Sequence, residues 1–328
     1  MTQSIPYGLQ KWWPVLLILL IVLTLVFMLF QRWNINQLVS HPNPVKSYEE
    51  AAQRIQAMQA AEGKLNPVCQ TQFLTHGKQT ERTIILVHGY TNCPQQFFEL
   101  GKRFYALGYN VLIAPLPHHG LADRMTDEQS LIKADEFVVY ADKVVDIAQG
   151  LGKHVTISGI SLGGVISAWA VQNRSDVDLA AIISPGFSFK DIPTGLTNPI
   201  ANIFMLLPVT YTWWDPVLKE KVSPPYAYPR YTNHALGEIL RFGYGVQAQV
   251  EQHAPFAKKI IIITNGNDVS VDNTLTAQVI KTWQAHGANL SIYEFPKDLG
   301  LVHDLIDPNN EDAQIEVVYP KLIELINQ

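Results

Sequence analysis

Cysteine is almost missing from these 328 residues: Cys69 and Cys93 are the whole supply, too few for a disulfide-built scaffold or a thiolate metal centre. Charge is sparse as well. Charged residues make up 16% of the chain and sum to a net −5, so no basic stripe offers itself to nucleic acid. Internal repeats and low-complexity tracts are lacking, which excludes solenoids and disordered arrays. Histidine and cysteine show no metal-ligand spacing. What the chain does have is apolar matter, 47% of its residues, enough over this length for one large core or two modest ones.

The first apolar run, Val15 to Phe30, contains Thr24 as its one polar residue, and Trp12, Trp13 and Trp33 bracket it. The run is short of the roughly 20 apolar residues that span a bilayer, but tryptophans at the headgroup level would extend it to a full crossing. The expectation is a single-pass membrane anchor over residues 1–33, transmembrane from about residue 12 to 33. A cleaved signal peptide is disfavoured, because the run is long for such a segment and Gln31-Arg32-Trp33-Asn34-Ile35-Asn36 offers no small-x-small cleavage site. Lys11 and the amino terminus on one side balance Arg32 and Lys46 on the other, so the charge rule leaves the orientation undecided.

Residues 34–65 read as a connector. His41-Pro42-Asn43-Pro44 breaks regular structure, and a short helix follows from Ser47 to Glu62, with Ser47 as N-cap and Glu50 completing a capping box. From residue 66 to 328 short β-branched runs alternate with helical patterns. Strands are expected over Thr83 to His88, Asn110 to Ala114, Val155 to Ser158, Leu179 to Ser184, Lys259 to Thr264 and Leu290 to Phe295. Unbroken apolar stretches such as Ile260-Ile261-Ile262-Ile263 suit a parallel sheet buried on both faces, and the class is α/β. The alternation lapses over about 185–257, an aromatic-rich stretch too long for a plain loop. It is expected to be a helical insertion forming a lid, with Phe187, Trp213 and Trp214 as candidate substrate contacts; a mere packing subdomain is the competing reading.

Chemistry enters with Gly159-Ile160-Ser161-Leu162-Gly163-Gly164, placed directly after a strand. A G-x-S-x-G turn between strand and helix forces its serine into a sharp, exposed bend where the hydroxyl can attack a carbonyl. Ser161 is the candidate nucleophile. Such a serine needs a base, an acid to orient the base, and donors for an oxyanion. Asp268, just past the Lys259 to Thr264 strand, is the candidate acid; Asp272 competes but sits where a helix N-cap is wanted. His303, between the last strand and the last helix, is the candidate base. His286 ends a helix, where a histidine is structurally ordinary. The amides of Tyr90, in the His88-Gly89-Tyr90-Thr91 turn, and of Leu162 are the candidate oxyanion donors. His118 and His119 follow a strand but precede the serine, and are assigned to the rim or to stabilising their loop.

Together HGYTNCPQQF at 88–97, PLPHHG at 115–120, GISLGG at 159–164, NGNDVSV at 265–271 and LVHD at 301–304 resemble the α/β-hydrolase-fold serine hydrolases. The similar group is the esterase and monoacylglycerol-lipase-like one, with bacterial carboxylesterases among it, and the likeness covers roughly residues 66–328. It implies Ser161, Asp268 and His303 as triad, Tyr90 and Leu162 as oxyanion donors, a cap after the strand that follows the nucleophile helix, and neither metal nor organic cofactor. Cys69 and Cys93, left open between a disulfide and two thiols by their spacing, are drawn towards a disulfide by the resemblance. The second histidine of PLPHHG departs from the commoner PGHG and leaves substrate choice in doubt. The expected function is hydrolysis of a small ester or lipid through an acyl-enzyme. Peptidase or amidase, acyltransferase and non-catalytic binding protein are the alternatives.

Overall fold

The computed structural model describes residues 12–328. A seven-stranded sheet runs in the order β1 (Gln72–Leu74), β3 (Asn110–Ile113), β2 (Thr80–Val87), β4 (Gly152–Ile160), β5 (Leu179–Ile183), β8 (Lys259–Asn265) and β9 (Leu290–Phe295). Only β1 is antiparallel to its neighbour; every other pairing is parallel. The central strands alternate between two cores, one on each face. Ile85, Val87, Ile260 and Ile262 enter one core, while Ile84, Leu86, Ile261 and Ile263 enter the other. Each such side chain stabilises by about 1.5–3 kcal/mol before chain entropy is charged against it. Helices α4 (Ala134–Leu151), α5 (Leu162–Asn173), α7 (Asn233–Gln252) and α8 (Asn273–Ala285) line the first core, and α3 (Gln95–Ala106) and α9 (Ile315–Ile326) the second.

The expected membrane anchor is corrected. Helix α1 covers Trp13–Leu29, 17 residues, which at 1.5 Å per residue is about 25 Å against a hydrocarbon core of about 30 Å. No helix among the described residues is long and apolar enough to cross a membrane. The bracketing tryptophan does not lengthen α1, because Trp33 Nε1 folds back to donate to Met28 O at 2.9 Å and Asn34 turns left-handed at φ 56°. Asn202 then donates to Leu29 O and Gln31 O at 2.7 and 2.9 Å, tying the helix end to α6 (Thr197–Leu206). Lys11 and the amino terminus lie outside the described residues.

Within residues 34–65, α2 spans Tyr48–Ala60, and Leu38, Val45, Ala51 and Ile55 of this stretch are buried in the first core. Ser47 Oγ accepts from Glu50 N–H as expected, but Glu50 reaches back to the amide of Lys46 rather than to that of Ser47. The connector is held by a buried ion cluster. Arg174, 1% exposed, pairs with Asp142, Asp146 and Asp176 at 2.7–2.8 Å. Asp142 also accepts from Ser40 Oγ and His41 N–H, and Asp146 from Asn43 N–H, so the second carboxylate oxygens are satisfied rather than stranded.

Between β5 and β8 lies the insertion, with α6, α7 and an antiparallel pair, β6 (Tyr211–Trp213) and β7 (Arg230–Thr232). Arg124 gathers four of its carbonyls, those of Glu220, Val222, Pro224 and Ala227. One guanidinium thus fixes a loop that has little regular structure of its own.

Candidate active site

Ser161 stands between β4 and α5 at φ 57° and ψ −117°, a conformation that costs a residue with a side chain about 1–3 kcal/mol. Its glycine neighbours permit the bend. A Cβ on Gly163 would lie 2.0 Å from Val87 O, and one on Gly159 would lie 2.2 Å from Gly163 O. The strain is not isolated. Thr91, His118, Ser161 and Ser184 all have positive φ and follow β2, β3, β4 and β5, four neighbouring strands at one edge of the sheet.

The loops that follow neighbouring strands supply the remaining candidate groups. On one side, Gly89 comes so close that a Cβ on it would stand 3.4 Å from Ser161 Cβ. The Gly89–Tyr90 peptide is held by its carbonyl, which accepts from Asn92 N–H at 3.2 Å and from His88 Nδ1 at 2.9 Å. His88 Nε2 accepts from Leu116 N–H at 3.0 Å, so the single proton of this ring sits on Nδ1. Burial first, and then His119 beside it, push His88 well below its ordinary pKa and keep it neutral. Because a trans peptide is planar, pinning the Gly89 carbonyl aims the Tyr90 N–H the opposite way. Among the described residues neither this amide nor that of Leu162 donates to a backbone carbonyl. The Leu162 amide also heads α5, at the positive end of its dipole.

On the other side, His303 Nδ1 donates to Asp268 Oδ2 at 2.8 Å. Asp268, 5% exposed, accepts on its other oxygen from the amides of Ser270 and Val271 at 2.9 and 3.0 Å. Burial pushes this carboxyl up, but His303 and the two amides outweigh it, and its pKa lies below the ordinary carboxylate value. For His303 burial pulls down and Asp268 more than reverses it, leaving the imidazole above its ordinary value. With Nδ1 engaged, Nε2 is the nitrogen open to proton transfer. Ser161 Oγ and His303 are not themselves hydrogen-bonded to each other.

Asp272 caps α8, its carboxylate accepting from Thr274 N–H at 2.9 Å, and His286 follows the end of that helix. His119 is buried, with Nδ1 on Pro117 O at 2.7 Å; His118 bridges Glu128 and Glu136. Phe187 is 1% exposed in the core under α7 and does not face an opening, contrary to its expected place among substrate contacts. Trp214 instead reaches the loop beside Ser161, where its Nε1 donates to Thr91 Oγ1 at 3.0 Å and its ring lies edge-on to Tyr90. Trp213 ends β6, half-buried. Cys69 and Cys93 form a disulfide, Cα–Cα 5.3 Å, at the base of the Gly89 loop. His88 went unassigned in the sequence; the His-Gly pair was its one signal, and a common one. Among the described residues no group of His, Cys, Asp and Glu could hold a metal ion.

A parallel sheet with an antiparallel first strand, a strained serine between the central strand and its helix, and an acid and a histidine after the last two strands define an α/β-hydrolase fold. Residues 78–307 match the family described as Serine aminopeptidase, S33, and the chain belongs to that family. Over 121 residues it is 23% identical to the thermostable monoacylglycerol lipase of Bacillus sp. (strain H-257), a stretch that is 35% of this chain and 45% of that protein. The chain therefore matches less than half the length of that relative. In structure it is similar to the Paleococcus ferrophilus monoacylglycerol lipase, with TM-score 0.58 and 15% identity over 78% of this chain and 97% of that one. A soluble variant of the Saccharomyces cerevisiae monoglyceride lipase, solved with a substrate analogue, gives TM-score 0.59 and 15% identity over 78% and 90%. At such identities these two likenesses establish the fold alone.

Proposed function

We propose that this chain is a serine hydrolase that cleaves carboxylic esters with an apolar acyl chain, such as monoacylglycerols, through an acyl-enzyme. The observation that supports the reading is the strained Ser161 beside the Gly89 turn, together with a hydrogen-bonded Asp268–His303 pair in the loops that follow later parallel strands of the same sheet. His303 Nε2 takes the Ser161 proton as Oγ attacks the acyl carbonyl, and the Tyr90 and Leu162 amides stabilise the oxyanion. Collapse expels the alcohol, which receives its proton from His303. Water, deprotonated by the same ring, then attacks the acyl-serine; Ser161 is restored and the acid departs. Asp268 keeps the ring in its tautomer and stabilises the imidazolium. The stretch 185–257 acts as the lid, with Trp214 rather than Phe187 at the edge of the acyl site. The sequence relative from Bacillus, named a thermostable monoacylglycerol lipase, supports the substrate class.

Peptidase action, which the family's description raises, calls for an anchor for a peptide terminus. The insertion's carboxylates fit that poorly: Glu238 is taken by Arg241 and the Ala134 amide, Asp215 by the Val217 and Leu218 amides, and Glu220 is exposed on the surface. The expected result is a kcat/KM for glycerol and p-nitrophenyl esters, profiled from acetyl to lauroyl, that exceeds that for aminoacyl p-nitroanilides by about 100-fold or more. Faster cleavage of the anilides would overturn the ester reading.

A further inference from the structure

The residue after the histidine of the site, Asp304, turns towards Asn92 and Gln96. Asp304 Oδ1 accepts from Gln96 Nε2 at 2.8 Å, and the other end of the same amide, Gln96 Oε1, accepts from Gly89 N–H at 2.8 Å. Asp304 Oδ2 accepts from Asn92 Nδ2 at 3.1 Å, while Asn92 Oδ1 accepts from Cys93 N–H at 2.8 Å. Gln96 and Asn92 are 3% and 5% exposed, so water does not compete for these bonds. One carboxylate therefore grips the Gly89–Cys93 loop at two points, more than 200 residues away in sequence.

We propose that Asp304 and Gln96 are positioning residues that lock the oxyanion loop to the histidine loop, so that the Tyr90 amide and His303 stay in register about Ser161. The proposal rests on the ester-hydrolase reading. The local bonds of His88 set the tilt of the Gly89–Tyr90 peptide, but they tie it only to its own loop and to Leu116. Gln96 carries the position of the Gly89 amide across to residue 304, next to the proton-transferring ring, and Asn92, whose N–H holds the Gly89 carbonyl, makes the second link. An oxyanion donor is effective only within a few tenths of an ångström of its place, so a loop free to drift loses transition-state binding more than substrate binding.

Steady-state ester hydrolysis tests this with Gln96→Glu, Asp304→Asn, their combination, and Gln96→Met. The assay is run well above neutral pH, where Asp304, pushed up to about 7 by burial and by neighbouring Asp307, is ionised. In Gln96→Glu the introduced carboxylate still accepts from Gly89 N–H but meets the Asp304 carboxylate where a donor is needed. There kcat is expected to fall about 10- to 100-fold with KM within about threefold. In the double variant the amide brought in by Asp304→Asn has one end to donate to that new carboxylate. Its other end accepts from Asn92, which rebuilds both bonds, and kcat is expected to return to within about fivefold of the unaltered protein. Gln96→Met keeps the volume, removes both bonds and serves if Gln96→Glu does not fold; the same loss of kcat is expected. Near-UV circular dichroism identifies the folded variants. A folded Gln96→Met or Gln96→Glu chain with unchanged kcat overturns the proposal, as does a folded double variant no better than Gln96→Glu. If the unaltered protein hydrolyses no ester, the reading beneath the proposal fails and the proposal with it.

Discussion

Ser161→Ala is expected to lower kcat for ester hydrolysis by about 10⁵- to 10⁶-fold while leaving the fold and substrate affinity nearly unchanged. The size follows from the chemistry: without Oγ no acyl-enzyme forms, and what remains is water attack assisted by the oxyanion amides and by binding. Alanine keeps a Cβ at φ 57°, so the strain of the turn is the same before and after the change. That separates a chemical loss from a folding one. Single-turnover and steady-state assays of the two proteins, with melting curves alongside, check it. A variant that retains a tenth of the activity would remove Ser161 from the chemistry.

Asp268→Asn is expected to lower kcat by about 10⁴-fold and to move the acid limb of the pH profile. Asparagine can offer its amide N–H to His303 Nδ1, which leaves the ring proton on Nε2, where it blocks acceptance of the Ser161 proton. The direction of the pH shift comes from the two opposed influences on His303. Burial pulls its pKa down and Asp268 raises it above the ordinary value. In the proposed mechanism His303 acts as base in its neutral form, so kcat/KM is expected to rise with pH through that pKa, at a midpoint above about 6.5 in the unaltered protein. Removing the Asp268 charge leaves burial opposed by Asp304 alone, and the limb moves to lower pH. A limb that stays in place, or moves upward, would mean that another group governs it.

Much of the fold could be read from the sequence because its signals are local. The isoleucine run of β8 and the apolar stretches of β2, β4 and β5 announce strands buried on both faces. Asp272 was legible as an N-cap from its place before a helical pattern, and α8 begins at Asn273. Other features escaped for physical reasons. Strand β1 has three residues at an edge, and β6 and β7 have three each, too short to show a period. The apolar count that suggested a membrane span could not register that α1 stops at Leu29 and that the Trp33 side chain folds back on Met28 instead of extending the helix. Phe187 was a candidate substrate contact of the lid, yet the chain turns it inward beneath α7.

The site divides in the same way. Ser161, Asp268 and His303 each carried a positional signal, a turn after a strand or a loop before a helix; Ser161 follows β4, Asp268 follows β8, and His303 is hydrogen-bonded to Asp268. Gln96 and Asp304 carried none. Their significance lies in a contact between α3 and the loop before α9, across a separation that no local pattern reports.

The central claim is that Ser161 is an activated nucleophile, and mapping a fluorophosphonate adduct on the purified protein by mass spectrometry tests it most directly. The account predicts one adduct, on the peptide containing Ser161, and none on the folded Ser161→Ala protein. A folded protein that takes up no probe, or an adduct that persists at another residue in Ser161→Ala, would contradict it.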